Sequence, residues 1–385
     1  MLETACPKVR VAAAALAAGA AAVRVTEAGI DERARGRMRA AFARGDFATW
    51  GYGPERAACA SDPRSVLDGA RSVVCIAVAY GSAAPRGRAP LTGRISNYAW
   101  SSDYHPRVRG ILEGIIRAIE AIDPGALSVA VCDTRPLAER AFAARAGLGW
   151  SGKHTNLIVP GAGSYVFLGE VVTTLALEPD APLRKTCGAC ARCVEACPTG
   201  ALRGDGTIEV VRCISDLTQR KDAIPRELRP LVGDWVWGCD LCQEVCPPTR
   251  LGRARVDPAF APVSAEAAFP DLAALLTLRG GAFERRFRGT ALGWRGSAVL
   301  RRNAAVGLGN ALDRAAVPAL EIALREDSSP LVRSHAAWAL GRVGSPRAYA
   351  GLTEALALER DERVREEIAA ALEPTRSPAR STAGG

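Results

Sequence analysis

From Cys187 to Pro198 the chain reads CGACARCVEACP: Cys187, Cys190 and Cys193 recur at every third position, and Cys197 stands directly before proline. That spacing places three thiolates on one tight loop around a four-iron cube and gives the fourth Cys to a second cube. A second run must therefore exist. Cys239, Cys242 and Cys246 form it, again ended by proline at Pro247, but position 236, which a complete run would fill with Cys, is valine. Cys213, alone between the runs, supplies the missing thiolate. Two four-ligand sets follow: Cys187, Cys190, Cys193 and Cys246 in one, Cys197, Cys213, Cys239 and Cys242 in the other. The competing chemistries are disulfides and zinc. Disulfides suit short secreted chains, and zinc usually takes paired Cys-x-x-Cys knuckles without a third evenly spaced Cys or a Cys-Pro ending.

A chain of 385 residues has room for two or three domains with cores of their own. No stretch is long and apolar enough for a membrane helix. The run VAAAALAAGAAA behind Lys8 and Arg10 has the outline of a secretory signal, but alanine is a weak residue for such a core. It reads instead as a surface-docked helix leading into a strand at Val23 to Val25. Thiolate-bound iron suits a reduced compartment, so a cytoplasmic protein is expected. Cys75 and Cys132 lie in apolar, strand-like runs and are expected as buried small hydrophobes.

Residues 1–180 alternate strand and helix, as an α/β or α+β domain does. SVVCIAVAY (72–80), LSVAVCD (127–133) and SYVFLGEVVTTLAL (164–177) read as strands, and 108–122 and 137–146 as amphipathic helices. After a proline-marked linker at 179–182, an iron-sulfur segment runs from 181 to 250. It holds few large apolar residues, so the clusters themselves are expected to serve as its core. Residues 251–375 repeat: Leu300, Arg301, Ala304, Ala305, Leu308 and Gly309 recur after 32 residues as Val332, Arg333, Ala336, Ala337, Leu340 and Gly341. Val364, Arg365, Ile368, Ala369 and Leu372 follow at the same interval. This is the period of stacked helical repeats of HEAT type, with a disordered tail expected at 376–385. The fold class expected is α+β: an N-terminal α/β catalytic domain, a ferredoxin-like two-cluster segment and C-terminal helical repeats.

Net charge is +9, but 46 Arg against 4 Lys in an Ala- and Gly-rich chain points to a composition bias, so local clustering is the better guide. Arg279 to Arg314 contains eight Arg and two acids, a block of +6 interleaved with Phe283, Phe287 and Trp294. It reads either as a phosphate-binding surface or as a solvated basic helix face, with the aromatics as repeat core.

Before the clusters, VCDTRPLAERAFAARAGLGWSGKHTNLI (131–158) carries the most chemistry. Asp133 ends a strand, where a carboxylate can face a ligand crevice and, if burial keeps it neutral, protonate a leaving oxygen. The alternative is that it caps the following helix. The loop AGLGWSGKHT (146–155) fits neither a dinucleotide fingerprint nor a P-loop. Lys153 and His154 could meet an anionic or amide-rich group, although a lone His is more often structural. Tyr98, Asp103, Tyr104 and His105 default to turn and core roles.

The segment from Asp133 to Asn156, the run at 187–198, RCIS around Cys213 and GCDLCQEVCP at 238–247 resemble the epoxyqueuosine reductase family, in the same order along nearly the whole chain. Those enzymes are cobalamin-dependent and complete queuosine in transfer RNA by removing the oxygen of an epoxide on the wobble base of the anticodon. The resemblance implies two [4Fe-4S] clusters and cobalamin as cofactors, Asp133 as proton donor, and a corrin held between the catalytic domain and the clusters. Lys153, His154, Thr155, Leu157, Ser215, Asp240 and Leu241 would wall that cofactor, while Lys221, Arg288 and Arg295 would hold the transfer RNA. It further implies a low-potential electron donor and a monomer without membrane attachment. Asn97, Asp216, Gln219 and Arg220 stand where the family commonly has other residues, and the methionine-rich pattern around Trp50 is missing. A corrinoid reductase of a small molecule and a ferredoxin-like electron carrier remain the competing functions.

Overall fold

SVVCIAVA is apolar without alternation, which demands cover on both faces, and Ser72–Ala79 is indeed a central strand buried at every position. The structure, a computed structural model, describes residues 5–252 and 255–373; the expected tail at 376–385 lies outside them. With β1 at Ala22–Glu27, β2 at Ser72–Ala79, β3 at Ser128–Val131 and β4 at Val166–Thr173, the sheet order is β1-β2-β4-β3. Every pairing is antiparallel, with Cys75 opposite Glu170 and Val131 opposite Glu170 on its other side. The domain is therefore an α+β layer, and the crevice rule for parallel sheets does not locate its site. The strand read over 164–177 is shorter than its apolar run, and at its end the Thr173 hydroxyl and the Thr174 N–H both donate to the Leu127 carbonyl, at 2.9 and 3.0 Å.

Two helices cover one face. Helix α1 (Pro7–Ala17) is the alanine-rich segment, docked through Val11 and Ala15, and α2 (Tyr104–Glu120) buries Val108, Ile111, Leu112, Ile115 and Ile119. Gly169 on β4 permits the approach of α2, since a Cβ there would lie 2.9 Å from Val108 Cγ1. The other face receives α3 (Glu139–Arg145), whose Phe142 and Ala143 pack with Val73, Cys75, Val131 and Val172. Cys75 and Cys132 are buried as read.

In the repeats, α4 (Ser297–Ala311), α5 (Pro330–Val343) and α6 (Glu362–Leu372) carry the three copies of the motif. Gly309 and Gly341 are needed where they fall: a Cβ would lie 2.8 Å from Ala339 Cα and from Ala371 Cβ respectively. No helix among the described residues is long and apolar enough to cross a membrane.

The expectation that the clusters alone fill the iron-sulfur segment is corrected. Ile214, Leu217, Ile224, Val232, Trp235, Val236 and Trp237 belong to one continuous core with α4, α5 and α6. Val236, at the position of the absent Cys, is fully buried in that core on a short strand, Trp235–Trp237, paired with Arg94–Ile95. A thiolate there would face hydrocarbon, which agrees with the expectation that the ligand comes from Cys213.

Polar contacts fix the junction. Arg302, fully buried, donates to the carbonyls of Leu217 at 2.8 Å and Arg220 at 3.0 Å, and Asn303 donates to those of Thr218 at 2.7 Å and Val236 at 2.8 Å. Asn303→Ala would leave two buried carbonyls unpaired, at about 1–3 kcal/mol each. The expected result is a loss of roughly 2–6 kcal/mol in denaturant unfolding, together with lower iron retention, whereas Asn303→Asp should not restore either property.

Candidate active site

A cavity of about 440 Å³ lies between the sheet domain and the cluster segment. Trp50, Tyr80, Tyr98, Val166 and Leu168 line it from the sheet side; Cys197, Ile208, Cys213, Ile214, Cys239 and Cys242 line it from the cluster side. The expected ligand sets separate spatially. All four cysteines of the second set reach the cavity wall, while Cys187, Cys190, Cys193 and Cys246 do not. In the first set, Cys193 and Cys246 are buried, Cys187 is half-buried beside Cys246 and Trp150, and Cys190 is exposed. Burial pushes the Cys213 thiol up to about 11 and those of Cys239 and Cys242 well upward, so their thiolates call for a cationic partner. Among the described residues no three His, Cys, Asp or Glu converge as tightly as one ion needs. Four cysteines in one wall are the donor set that a four-iron cube takes.

The glycine loop supplies the opposite wall. His154, Thr155 and Leu157 line the cavity, as do Ser215 and Leu241 from the cluster side. His154 is buried and its Nδ1 accepts the Asn156 N–H at 3.2 Å, which leaves the proton on Nε2; that nitrogen has no partner among the described residues. Desolvation lowers its pKa to about 4, so it is a neutral donor at physiological pH. Thr155 is held at φ +70°, a costly conformation for a β-branched residue. An orphaned donor in a wall that also carries Ser96, Asn156, Ser164, Gln219 and Gln243 suits a large planar cofactor edged with amides.

Two expected wall residues sit elsewhere. Lys153 lies on the outer side of the loop, in a separate cleft with Arg33, Arg37, Thr186 and Cys187. Asp240 is buried behind the wall, accepting from the Asn97 N–H at 2.6 Å and the Ser96 hydroxyl at 2.7 Å, and so positions rather than lines.

Asp133 follows β3 on a loop at φ +53° and is exposed. It does not cap α3, whose N-cap is Ala138 without a side-chain bond. The burial expected of Asp133 is not found. The Tyr104 hydroxyl donates to Asp133 Oδ2 at 3.3 Å, and the Asp133 N–H donates to Glu139 Oε1 at 2.6 Å. Tyr104 is stacked on Phe167 at 4.2 Å, and burial keeps its phenol protonated. Glu139 is pushed upward by desolvation, and Glu170 behind it, fully buried and without a hydrogen-bond partner among the described residues, further still.

The basic block divides. Arg301 and Arg302 are buried, Arg301 on Asp327 at 2.7 Å and Arg302 on carbonyls, so neither belongs to a phosphate surface; Phe283 and Phe287 are core. Arg288 and Lys221 are exposed. Arg295 lies against both Trp294, 3.9 Å from its ring centre, and Trp50, at 4.6 Å, and Trp50 is itself part of the cavity wall. The unusual residues compensate one another. Asp216 accepts from Trp50 Nε1 at 2.8 Å and Thr49 Oγ1 at 3.1 Å and pairs with Arg220, and Gln219 Nε2 donates to the Ser215 hydroxyl at 3.0 Å. Asn97 bridges Ser82, donating to its carbonyl at 2.7 Å.

Sequence reasoning did not find Trp50, Tyr98, Tyr104 or Glu139 as site residues. Tyr98 and Tyr104 were visible as a polar-aromatic cluster, but nothing local distinguishes such a cluster from core.

Comparison with known proteins agrees with this architecture. Residues 61–134 match the family model described as "Epoxyqueuosine reductase QueG, DUF1730", 186–249 a 4Fe-4S double cluster binding domain, and 291–373 HEAT repeats. The epoxyqueuosine reductase of Bacillus subtilis (strain 168) is 37% identical over 315 residues, covering 81% of each chain. That of Gloeobacter violaceus is 40% identical over 286 residues, covering 72% of this chain and 86% of its own. Among solved structures, an epoxyqueuosine reductase bound to an epoxyqueuosine-modified tRNA-Tyr stem loop superposes with a TM-score of 0.89 at 33% identity, covering 95% of this chain and 98% of its own. The structure of an epoxyqueuosine reductase from Bacillus subtilis, described as having its aspartate catalytic loop swung out of the active site, gives 0.88 at 32% identity, with the same coverage. With this identity sustained along most of both chains, and with cluster segment and repeats in the same order, the chain belongs to the epoxyqueuosine reductase family.

Proposed function

We propose that the chain removes the epoxide oxygen of epoxyqueuosine in transfer RNA to give queuosine, using two [4Fe-4S] clusters and cobalamin. The observation that carries this reading is the cavity itself, with the inner cysteine set in one wall and the neutral His154 in the other; Asp133 is not one of its lining residues and stands on the loop that Tyr104 and Glu139 hold. Conversion of an epoxide to an alkene and water consumes two electrons and two protons. Cobalamin, when bound, supplies the low-potential, nucleophilic metal chemistry that opening the ring requires.

The chain's own groups prepare the rest. Cys197, Cys213, Cys239 and Cys242 would hold one cluster against the cavity, and Cys187, Cys190, Cys193 and Cys246 the other on its outer side, which orders electron flow from surface to cavity. His154 Nε2–H would donate to a cofactor amide, with Thr155, Leu157, Ser215 and Leu241 fixing the plane. Asp133 would deliver a proton to the departing oxygen. Tyr104 fixes one oxygen of that carboxyl by its hydroxyl, and Glu139 holds the loop's backbone. An aspartate catalytic loop that moves, as named for the Bacillus subtilis structure, agrees with a carboxyl carried on such a loop. Lys221, Arg288 and Arg295 would hold the phosphates of the anticodon arm. The protein would work as a cytoplasmic monomer supplied by a low-potential donor.

Asp133→Asn should lower the single-turnover rate on a modified stem loop by about 10²–10⁴-fold while iron content and cobalamin absorbance stay at wild-type levels. Turnover at the wild-type rate would remove Asp133 from the mechanism. Cys213→Ala should cost one of the two clusters by iron analysis and electron paramagnetic resonance, leaving the signal of the other. Arg288→Ala with Arg295→Ala should weaken stem-loop binding and lower the slope of log affinity against log salt by about 2; an unchanged slope would return both residues to a solvated face.

A further inference from the structure

The cleft that holds Lys153 lies on the outer side of the loop whose inner side faces the cavity. Its volume is about 320 Å³, and Arg33, Arg37, Lys153, Thr186, Cys187 and Gly206 line it. The cations are available. Arg33 and Lys153 make no ion pair or side-chain hydrogen bond among the described residues, and Arg37 donates only to the Asp205 carbonyl, at 3.1 Å. Arg184, Lys185 and Arg192 add exposed positive charge along the adjoining Cys187 loop, where Gly188, Ala189 and Cys190 are also exposed. Lys185 lies 4.7 Å above the Trp150 ring, and Trp150 packs with Cys187 and Cys246. The acids nearby are few. Asp205 spends its carboxylate on Thr207, at 2.8 and 2.6 Å, Glu32 pairs with Arg35, and Glu195 is exposed.

We propose that this basic cleft beside Cys187 docks the acidic face of a small, reduced one-electron carrier protein. The inference rests on the assignment of Cys187, Cys190, Cys193 and Cys246 to the outer cluster, made above. Electron tunnelling falls steeply with distance, so a carrier must approach that cluster where no folded layer covers it. The Cys187–Cys190 loop is such a place, and the surrounding charge selects an acidic partner. Redox encounters of this kind are small and weak and depend on electrostatic steering rather than on buried area. Each encounter oxidises the carrier by one electron and reduces the outer cluster by one, so two encounters supply one turnover. A nucleic acid would also meet positive charge here. The cavity, however, takes His154, Thr155 and Leu157 from the other side of the 150–158 loop, and the cleft shares no lining residue with it, so a strand laid along the cleft would not lie in the cavity wall.

Stopped-flow bleaching of the cluster absorbance in holoenzyme, with a reduced acidic ferredoxin as probe and dithionite as a small-molecule control, tests the assignment. Arg33→Glu with Arg37→Glu should lower the ferredoxin rate constant about 10–100-fold at low salt and flatten its ionic-strength dependence. Arg33→Lys with Arg37→Lys should keep most of the rate. Reduction by dithionite and affinity for a transfer-RNA stem loop should not change in either variant. A ferredoxin rate indifferent to charge reversal would overturn the proposal, as would an equal loss with dithionite or a loss confined to stem-loop binding. Because the bleaching is read without transfer RNA, failure of the epoxide assignment would leave this result standing.

Discussion

Helix α4 holds the cavity wall in place by gripping backbone rather than side chains. Arg302 and Asn303 reach into the segment that carries Cys213 and Cys239 and satisfy carbonyls from Leu217, Thr218, Arg220 and Val236. Buried carbonyls cannot be left unpaired without cost, so these two side chains set where the segment lies as well as how firmly it is held. The helical repeats and the iron-sulfur segment consequently share one core. Arg295, proposed above as a nucleic-acid contact, is thereby joined through Trp50 to the wall that carries the inner thiols.

The two cysteine runs were legible because their spacing is a local property. A tight loop enforces its geometry within a dozen residues, and proline after the last Cys marks where it ends. The same logic found the repeats, since an interval of 32 residues needs no knowledge of what packs against it. Cys213 entered the expected set only by counting. The reason position 236 is not a cysteine is tertiary: it is consumed by the hydrophobic core, while Cys213 stands at the start of a neighbouring helix and reaches the cavity wall.

Other features could not be read locally. A block of eight arginines suggested one phosphate surface, yet Arg301 finds Asp327 and Arg302 finds carbonyls more than 80 residues upstream. Long side chains of one type serve core and surface alike, and only the fold distributes them. Lys153 and His154, adjacent in sequence, fall on opposite sides of their loop, which separated a cofactor wall from a basic outer cleft. Tyr104 and Glu139 come to Asp133 from two different helices, and no spacing rule connects them. The residues that depart from the family's usual pattern form two small hydrogen-bonded groups, around Asp216 and around Asn97. They alter how the wall is supported while leaving the cysteines and Asp133 in place.

These relations converge on one chemical event, the loss of a single oxygen from a modified base presented on an RNA loop. The direct measurement is mass spectrometry of the nucleosides released from an epoxyqueuosine-bearing anticodon stem loop after incubation with the reduced, cobalamin-loaded protein. The account predicts conversion of epoxyqueuosine to queuosine, a product lighter by one oxygen. Recovery of unchanged epoxyqueuosine, from protein whose clusters are reduced and whose cobalamin is bound, would contradict it.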